Sequence, residues 1–112
     1  MGSYTAKLPT LTIDSGFASS SVLTGFDDAS AIVFMAGTLT GTLTVRVASE
    51  SSGVTASSTW SDYQSGGSDI TIGSGNTAQL TPPVGGSIIL VSSTSEAARR
   101  YIQVKKQFSV GG

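Results

Sequence analysis

Between Leu39 and Val47 the chain reads Leu-Thr-Gly-Thr-Leu-Thr-Val-Arg-Val, an alternation of period two. Leu39, Gly41, Leu43, Val45 and Val47 fall on one side, and Thr40, Thr42, Thr44 and Arg46 on the other. Helical neighbours recur at three and four residues, so this stretch cannot form an apolar helical stripe. It predicts a strand packed on one face and wet on the other. Weaker forms of the same signal recur along the chain. Leu11 and Ile13 alternate with Thr10, Thr12 and Asp14, and Ala18 to Leu23 is a fainter candidate. Ala31 to Met35 is continuously apolar, as a strand covered on both faces would be. Thr59 to Gln64 sets Trp60 among small polar residues. Ile70 and Ile72 alternate with Asp69 and Thr71, and Thr77 to Leu80 follows through Gly73-Ser74-Gly75-Asn76. Glycines able to take positive φ suit that connection to a hairpin.

Pro82-Pro83 blocks ladder hydrogen bonding and predicts a break. Gly85-Gly86 then turns the chain into Ile88 to Val91. Tyr101 to Val110 closes the pattern with Ile102, Val104, Phe108 and Val110 on one face. Lys106 interrupts that face, which predicts a bulge or an edge there. Ser95 to Arg100 has helical character but is too short for an independent helix, and reads as a turn or single helical turn. Ser, Thr and Gly dominate the composition and only 12% of residues are charged, as in a flexible linker. Gathering of the apolar residues into β-branched blocks argues instead for a packed core.

The expectation is an all-β, single-domain antiparallel β-sandwich with about eight or nine short strands. Jelly-roll and immunoglobulin-like strand orders give the same alternation and both stay open. A length of 112 residues fits one domain: a sandwich over residues 10–110, an N-terminal arm over 1–9 and a loose tail at 111–112. No fixed repeat is visible, which argues against a solenoid or propeller.

The chain has no His and no Cys. The usual general base, the thiolate nucleophile, the common catalytic triads and zinc sites of His or Cys are therefore out of reach, as are disulfides. Asp27, Asp28, Asp62 and Asp69 remain as candidates for a glycosidase pair or an oxygen-ligand calcium site. The adjacent Asp27 and Asp28 follow Gly25-Phe26 and read as turn formers. Gly73-Ser74-Gly75 lacks the following helix that a phosphate cradle needs. Thr38, Thr40, Thr42 and Thr44 make a single ladder, where an ice-binding face needs several; Thr suits the wet side of a strand. No enzyme activity and no cofactor are expected.

Trp60 and Tyr63 lie three residues apart and could stack on a sugar or a base. Stacking on nucleic acid also needs a basic groove, and Arg46 is the one base between residues 8 and 98. A carbohydrate- or receptor-binding module is thus the alternative to a purely structural role, with Trp60 as a core plug the competing assignment. The net charge of −1 provides no field toward nucleic acid or membrane, and the longest apolar run, Ala31 to Ala36, is too short to span a bilayer. Neither a secretory leader nor a myristoylation signal is read at the start, and synthesis in a cytoplasm is expected. Charge is nevertheless uneven. Arg99, Arg100, Lys105 and Lys106 sit together near the C-terminus, either as a solvated strand face or as a docking surface for an acidic partner.

Several stretches resemble small β-sandwich virion proteins of tailed bacteriophages. They include the opening Leu11-Thr12-Ile13 strand ending in Ser15-Gly16, the strand from Leu39 to Val47, and Thr59-Trp60-Ser61-Asp62-Tyr63-Gln64-Ser65-Gly66-Gly67 after a Gly53-containing loop. Asp69-Ile70-Thr71-Ile72, Ile88-Ile89-Leu90-Val91-Ser92-Ser93 and Ala97-Ala98-Arg99-Arg100 complete the likeness. The resemblance implies a capsid decoration (cement) protein whose partner is the major capsid protein, on the virion surface and often as a homotrimer. Similar sandwiches form head fibres or tail parts. It carries over no functional residues.

Overall fold

The computed structural model describes residues 2–26, 29–48, 55, 58–81 and 86–110. All regular structure in them is strand: β1 (Gly2–Lys7), β2 (Leu11–Ile13), β3 (Ala31–Ala36), β4 (Leu43–Ala48), β5 (Ser61–Asp62), β6 (Gln64–Ser65), β7 (Ser68–Asp69), β8 (Thr71–Ile72), β9 (Thr77–Leu80), β10 (Ser87–Ser92) and β11 (Arg100–Val110). β1 and β2 lie end to end along one edge of β11, with Lys7 opposite Lys105 and Leu11 opposite Ile102. Pro9, which has no N–H to donate, occupies the gap, and the Leu8 N–H donates to the Val104 carbonyl at 2.9 Å to carry the chain across it. The segment expected as an arm is thus strand β1. β3 pairs with the other edge of β11, and β9 pairs with β3.

In the second sheet β10 pairs with β4, whose far edge takes β5 and β8. Bridges Ser19–Val91 and Leu23–Ile88 lay the segment 18–23 along the free side of β10. All these pairings are antiparallel. One sheet therefore runs (β1, β2)–β11–β3–β9, and the other runs (18–23)–β10–β4–(β5, β8). Apart from the step between the end-to-end β1 and β2, and the run from β4 through β5 to β8, every connection crosses from one sheet to the other. An immunoglobulin-like sandwich keeps several consecutive strands in one sheet. The order found here is that of a jelly roll.

The core lies between the sheets. Leu11, Ile13, Ile32, Phe34, Leu80, Ile102 and Val104 face it from the first sheet, and Leu43, Val45, Ile72, Ile88 and Leu90 from the second. Leu23, Phe26 and Leu39 fill its ends. Each such side chain stabilises the fold by roughly 1.5–3 kcal/mol on burial.

Four expectations change. β3 is covered on one face only, since Val33 and Met35 are half-exposed on the outside. Thr77–Leu80 does not return on Thr71–Ile72 as a hairpin: Ile72 and Leu80 enter the core from opposite sheets, so residues 73–76 cross between them. The strand expected over Thr59–Gln64 divides. Its first part pairs with β4 and its second turns back through Gly66 and Gly67, both at positive φ (63° and 85°), into the small β6–β7 ribbon. Finally, β11 is unbulged at Lys106, where β1 and β3 keep register on either side. Its inward-row side chain reaches past the core, the ammonium donating to the Gly25 carbonyl at 3.3 Å and lying 5.4 Å from the Phe108 ring centre.

Candidate functional site

Three groups of polar residues had to be placed: the C-terminal cations, the Trp60–Tyr63 pair and the carboxylates. The structure adds a fourth group, centred on Glu96.

Glu96 follows β10 in the connection to β11 and is only 1% exposed. Its Oε1 accepts the Thr40 N–H at 2.8 Å and the Arg100 Nε–H at 2.9 Å. Its Oε2 accepts the Gly41 N–H at 2.9 Å and the Ser92 hydroxyl at 2.7 Å. Thr40 Oγ1 accepts in turn from the Ala97 N–H and from Arg100 Nη2. Burial alone would raise the carboxyl pKa. The backbone donors of Thr40 and Gly41, the Ser92 hydroxyl and the Arg100 guanidinium outweigh it and hold the value at about 2. This explains why the strand expected from Leu39 begins only at Leu43: the N–H groups of Thr40 and Gly41 serve the carboxylate instead of a ladder. Gly41 is needed for the approach, because a Cβ there would stand 2.4 Å from Ser92 Oγ and 2.7 Å from Ser93 Oγ. The stretch expected as a turn or single helical turn accordingly bends at Ala97–Ala98 beside this centre and enters β11 at Arg100, with no helical turn. The cluster is saturated: among the described residues no buried side-chain N or O lacks a partner. It is a structural clasp between the β3–β4 and β10–β11 connections.

The four C-terminal cations do not form one patch. Arg100 is drawn into the clasp. Lys106 lies on the inward row of β11 and caps Gly25. Arg99 pairs with Asp14 at 3.3 Å on the surface and stands 5.5 Å from the ring centre of Tyr101. Lys105 is on the outer row of β11, opposite Lys7. Alternation along a strand sends neighbours to opposite faces, so clustering in sequence did not become clustering in space. Lys7, which no sequence motif singles out, joins Lys105 through strand pairing alone.

Trp60 and Tyr63 are likewise held separately. The Trp60 indole N–H donates to the Thr55 carbonyl at 3.1 Å. Tyr63 packs against the core, and its hydroxyl donates to the Thr81 carbonyl. Trp60 is half-buried and is not part of the core cluster, so the core-plug assignment fits Tyr63 better.

Asp62 is bound by Arg46 Nε at 2.8 Å and Asp69 by the Gln64 amide at 2.9 Å. Both line a shallow open groove with Thr44, Ser92 and Ser93. Among the described residues no three acidic side chains come together as a metal cage would require. Asp27, Asp28, Gly53, Pro82 and Pro83 lie outside the described residues.

No protein-family model matches the chain, and no curated protein matches its sequence. Among solved structures it is similar to one from the disulfide-linked pili of Bacillus endospore appendages, at 15% identity over 96% of this chain and 90% of that one, with a TM-score of 0.38. A likeness of that degree carries no functional argument.

Proposed function

We propose that this chain is a structural virion protein that decorates a tailed-phage capsid and stabilises it by binding the lattice of the major capsid protein, as a homotrimer and without catalysis. The observation that carries this reading is the solid jelly roll itself. Its interior is filled by Phe26, Phe34 and packed Leu and Ile side chains, so its outward faces are what it offers a partner. Jelly rolls serve both viral capsids and lectins, and a fold does not decide between such uses. The resemblance of its stretches to tailed-phage virion proteins favours the first. The carbohydrate-binding alternative loses the shared platform of Trp60 and Tyr63, because Tyr63 is committed to the core and to Thr81.

A decoration protein acts by linkage: it binds the assembled lattice and not its dissociated subunits, so it shifts the equilibrium toward the particle. Many weak contacts then act together across the repeating surface. The test is cosedimentation of the purified protein with particles assembled from the major capsid protein of the same genome. Saturable binding and a higher disruption temperature of the particle are expected. Protein left wholly in the supernatant would reject the proposal, and light scattering on the free protein checks the trimer.

A further inference from the structure

The five-stranded sheet turns one face to the core, and its other face is open. Because Ile102 and Val104 point inward, β11 places Tyr101, Gln103, Lys105 and Gln107 outward. Strand register then assembles the rest of that face. Lys105 has Lys7 opposite it on one side and Val33 on the other, with Gln79 beyond Val33. Met35 is opposite Gln103, and Thr12 is opposite Tyr101. Tyr101 is 60% exposed, a large apolar surface for a residue of a sheet.

The charge on this face is one-sided. The chain carries seven acidic residues against six basic ones, yet Asp14, paired with Arg99 at the margin, is the one carboxylate there among the described residues. Among those residues the ion pairs belong to Arg46, Arg99 and Arg100, and neither Lys7 nor Lys105 takes part in one. Like charges directly across a strand pair destabilise it. Such an arrangement has a use when a partner brings the opposite charge.

We infer that the outer face of the five-stranded sheet docks on an acidic protein surface, with Lys7, Lys105 and Arg99 as charged contacts and Tyr101, Met35 and Val33 as the apolar patch beside them. The inference rests on the assembly reading above and names the face it uses. Nucleic acid is the poorer fit. Phosphate binding draws its strength from many cations, whereas this face interleaves three of them with Val33, Met35 and glutamine amides. Arg and Tyr are the residue types that concentrate binding energy at protein interfaces.

The test titrates labelled polyglutamate, and separately a short DNA duplex, into the wild type and two variants. Lys7→Gln/Lys105→Gln removes the paired cations, and Thr59→Glu/Ser68→Glu makes the same change in net charge away from the face. Polyglutamate binding is expected to weaken about tenfold in the first variant and less than about twofold in the second. The first variant should also melt no lower than the wild type, since a repulsion has been removed. No polyglutamate binding by the wild type at low salt, an equal loss in both variants, no loss in the first, or tighter wild-type binding to DNA than to polyglutamate would each overturn the inference. Particle cosedimentation separates it from the virion reading. If the wild type fails to cosediment but shows the face-specific loss on polyglutamate, the virion reading falls and the docking face stands. If wild type and Lys7→Gln/Lys105→Gln cosediment equally, the face is wrong and the virion reading stands.

Discussion

At the scale of single residues, Glu96 is the buried charge that ties two connections together. One carboxylate satisfies two backbone donors, a hydroxyl and a guanidinium in a buried site, and such charge-assisted bonds are stronger than neutral ones. The pKa falls from 4.5 to about 2 on folding. A lowered carboxyl pKa contributes stability that is present above the unfolded value and is lost as the pH falls through the folded one. A displacement of that size corresponds to about 3 kcal/mol. Glu96→Gln is therefore expected to cost about 3 kcal/mol near pH 7, with the gap to the wild type closing between about pH 5 and pH 2. Urea unfolding across that pH range checks it, and a gap independent of pH would contradict the assignment. Gly41→Ala acts on the same clasp from the other side. Its Cβ would overlap Ser92 Oγ and Ser93 Oγ, and a loss of about 1–3 kcal/mol in the same assay is expected from overpacking. The exposed pairs Arg46–Asp62 and Arg99–Asp14 add little by comparison, because solvent screens them.

Among the elements, β1 and β11 depend on one another most unequally. β3 reaches β11 only as far as the pair Ala31–Gln107, so residues 108–110 are laddered by β1 alone. Val104 turns its polar groups to the β1 edge and Gln107 to the β3 edge, so alternate amides of β11 depend on different neighbours. Deleting residues 2–7 is expected to abolish amide exchange protection at Lys106, Phe108 and Val110, while Gln103, Lys105 and Gln107 stay protected by β3. Residue-resolved hydrogen exchange by NMR distinguishes the two sets. The exposed edge should also promote self-association, since unpaired strand edges template further pairing. The 73–76 connection shows a different dependence. Gly75 takes φ +73° and its N–H donates to the Gly37 carbonyl at 2.7 Å, while the Ser74 hydroxyl accepts the Leu39 N–H at 2.9 Å. This connection is thus tied to the β3–β4 connection, and the crossing between sheets is held at the end of the molecule where Leu39 closes the core.

For the whole molecule, one continuous cluster joins both sheets, so neither sheet retains a core of its own when the other opens. Unfolding is expected to be a single cooperative event. Trp60 fluorescence and far-ultraviolet circular dichroism should give coincident urea transitions. Phe34→Ala, at a fully buried position of β3, should shift both together by about 3–5 kcal/mol. Transitions that separate would show that the two sheets hold independently.

Alternation at Leu11–Ile13, Leu43–Val47 and Ile102–Val104 was enough to predict strands and their inward faces, because the period of two is a property of the extended backbone itself. The absence of His and Cys excluded imidazole and thiolate chemistry in the same direct way. Strand order was not legible, since jelly roll and immunoglobulin-like sandwiches demand the same local pattern and differ only in which edges meet. Gly41 looked like a strand position because its neighbours alternate, and only the fold brings a carboxylate more than fifty residues away to claim its N–H. The basic cluster near the C-terminus failed as a patch for the converse reason. Residues adjacent in sequence on a strand face opposite ways, whereas Lys7 and Lys105, at opposite ends of the chain, share a face through pairing. What the sequence determined alone is local periodicity and the set of available side chains; which of those side chains meet was decided by antiparallel register between distant strands, a contact that no local pattern encodes.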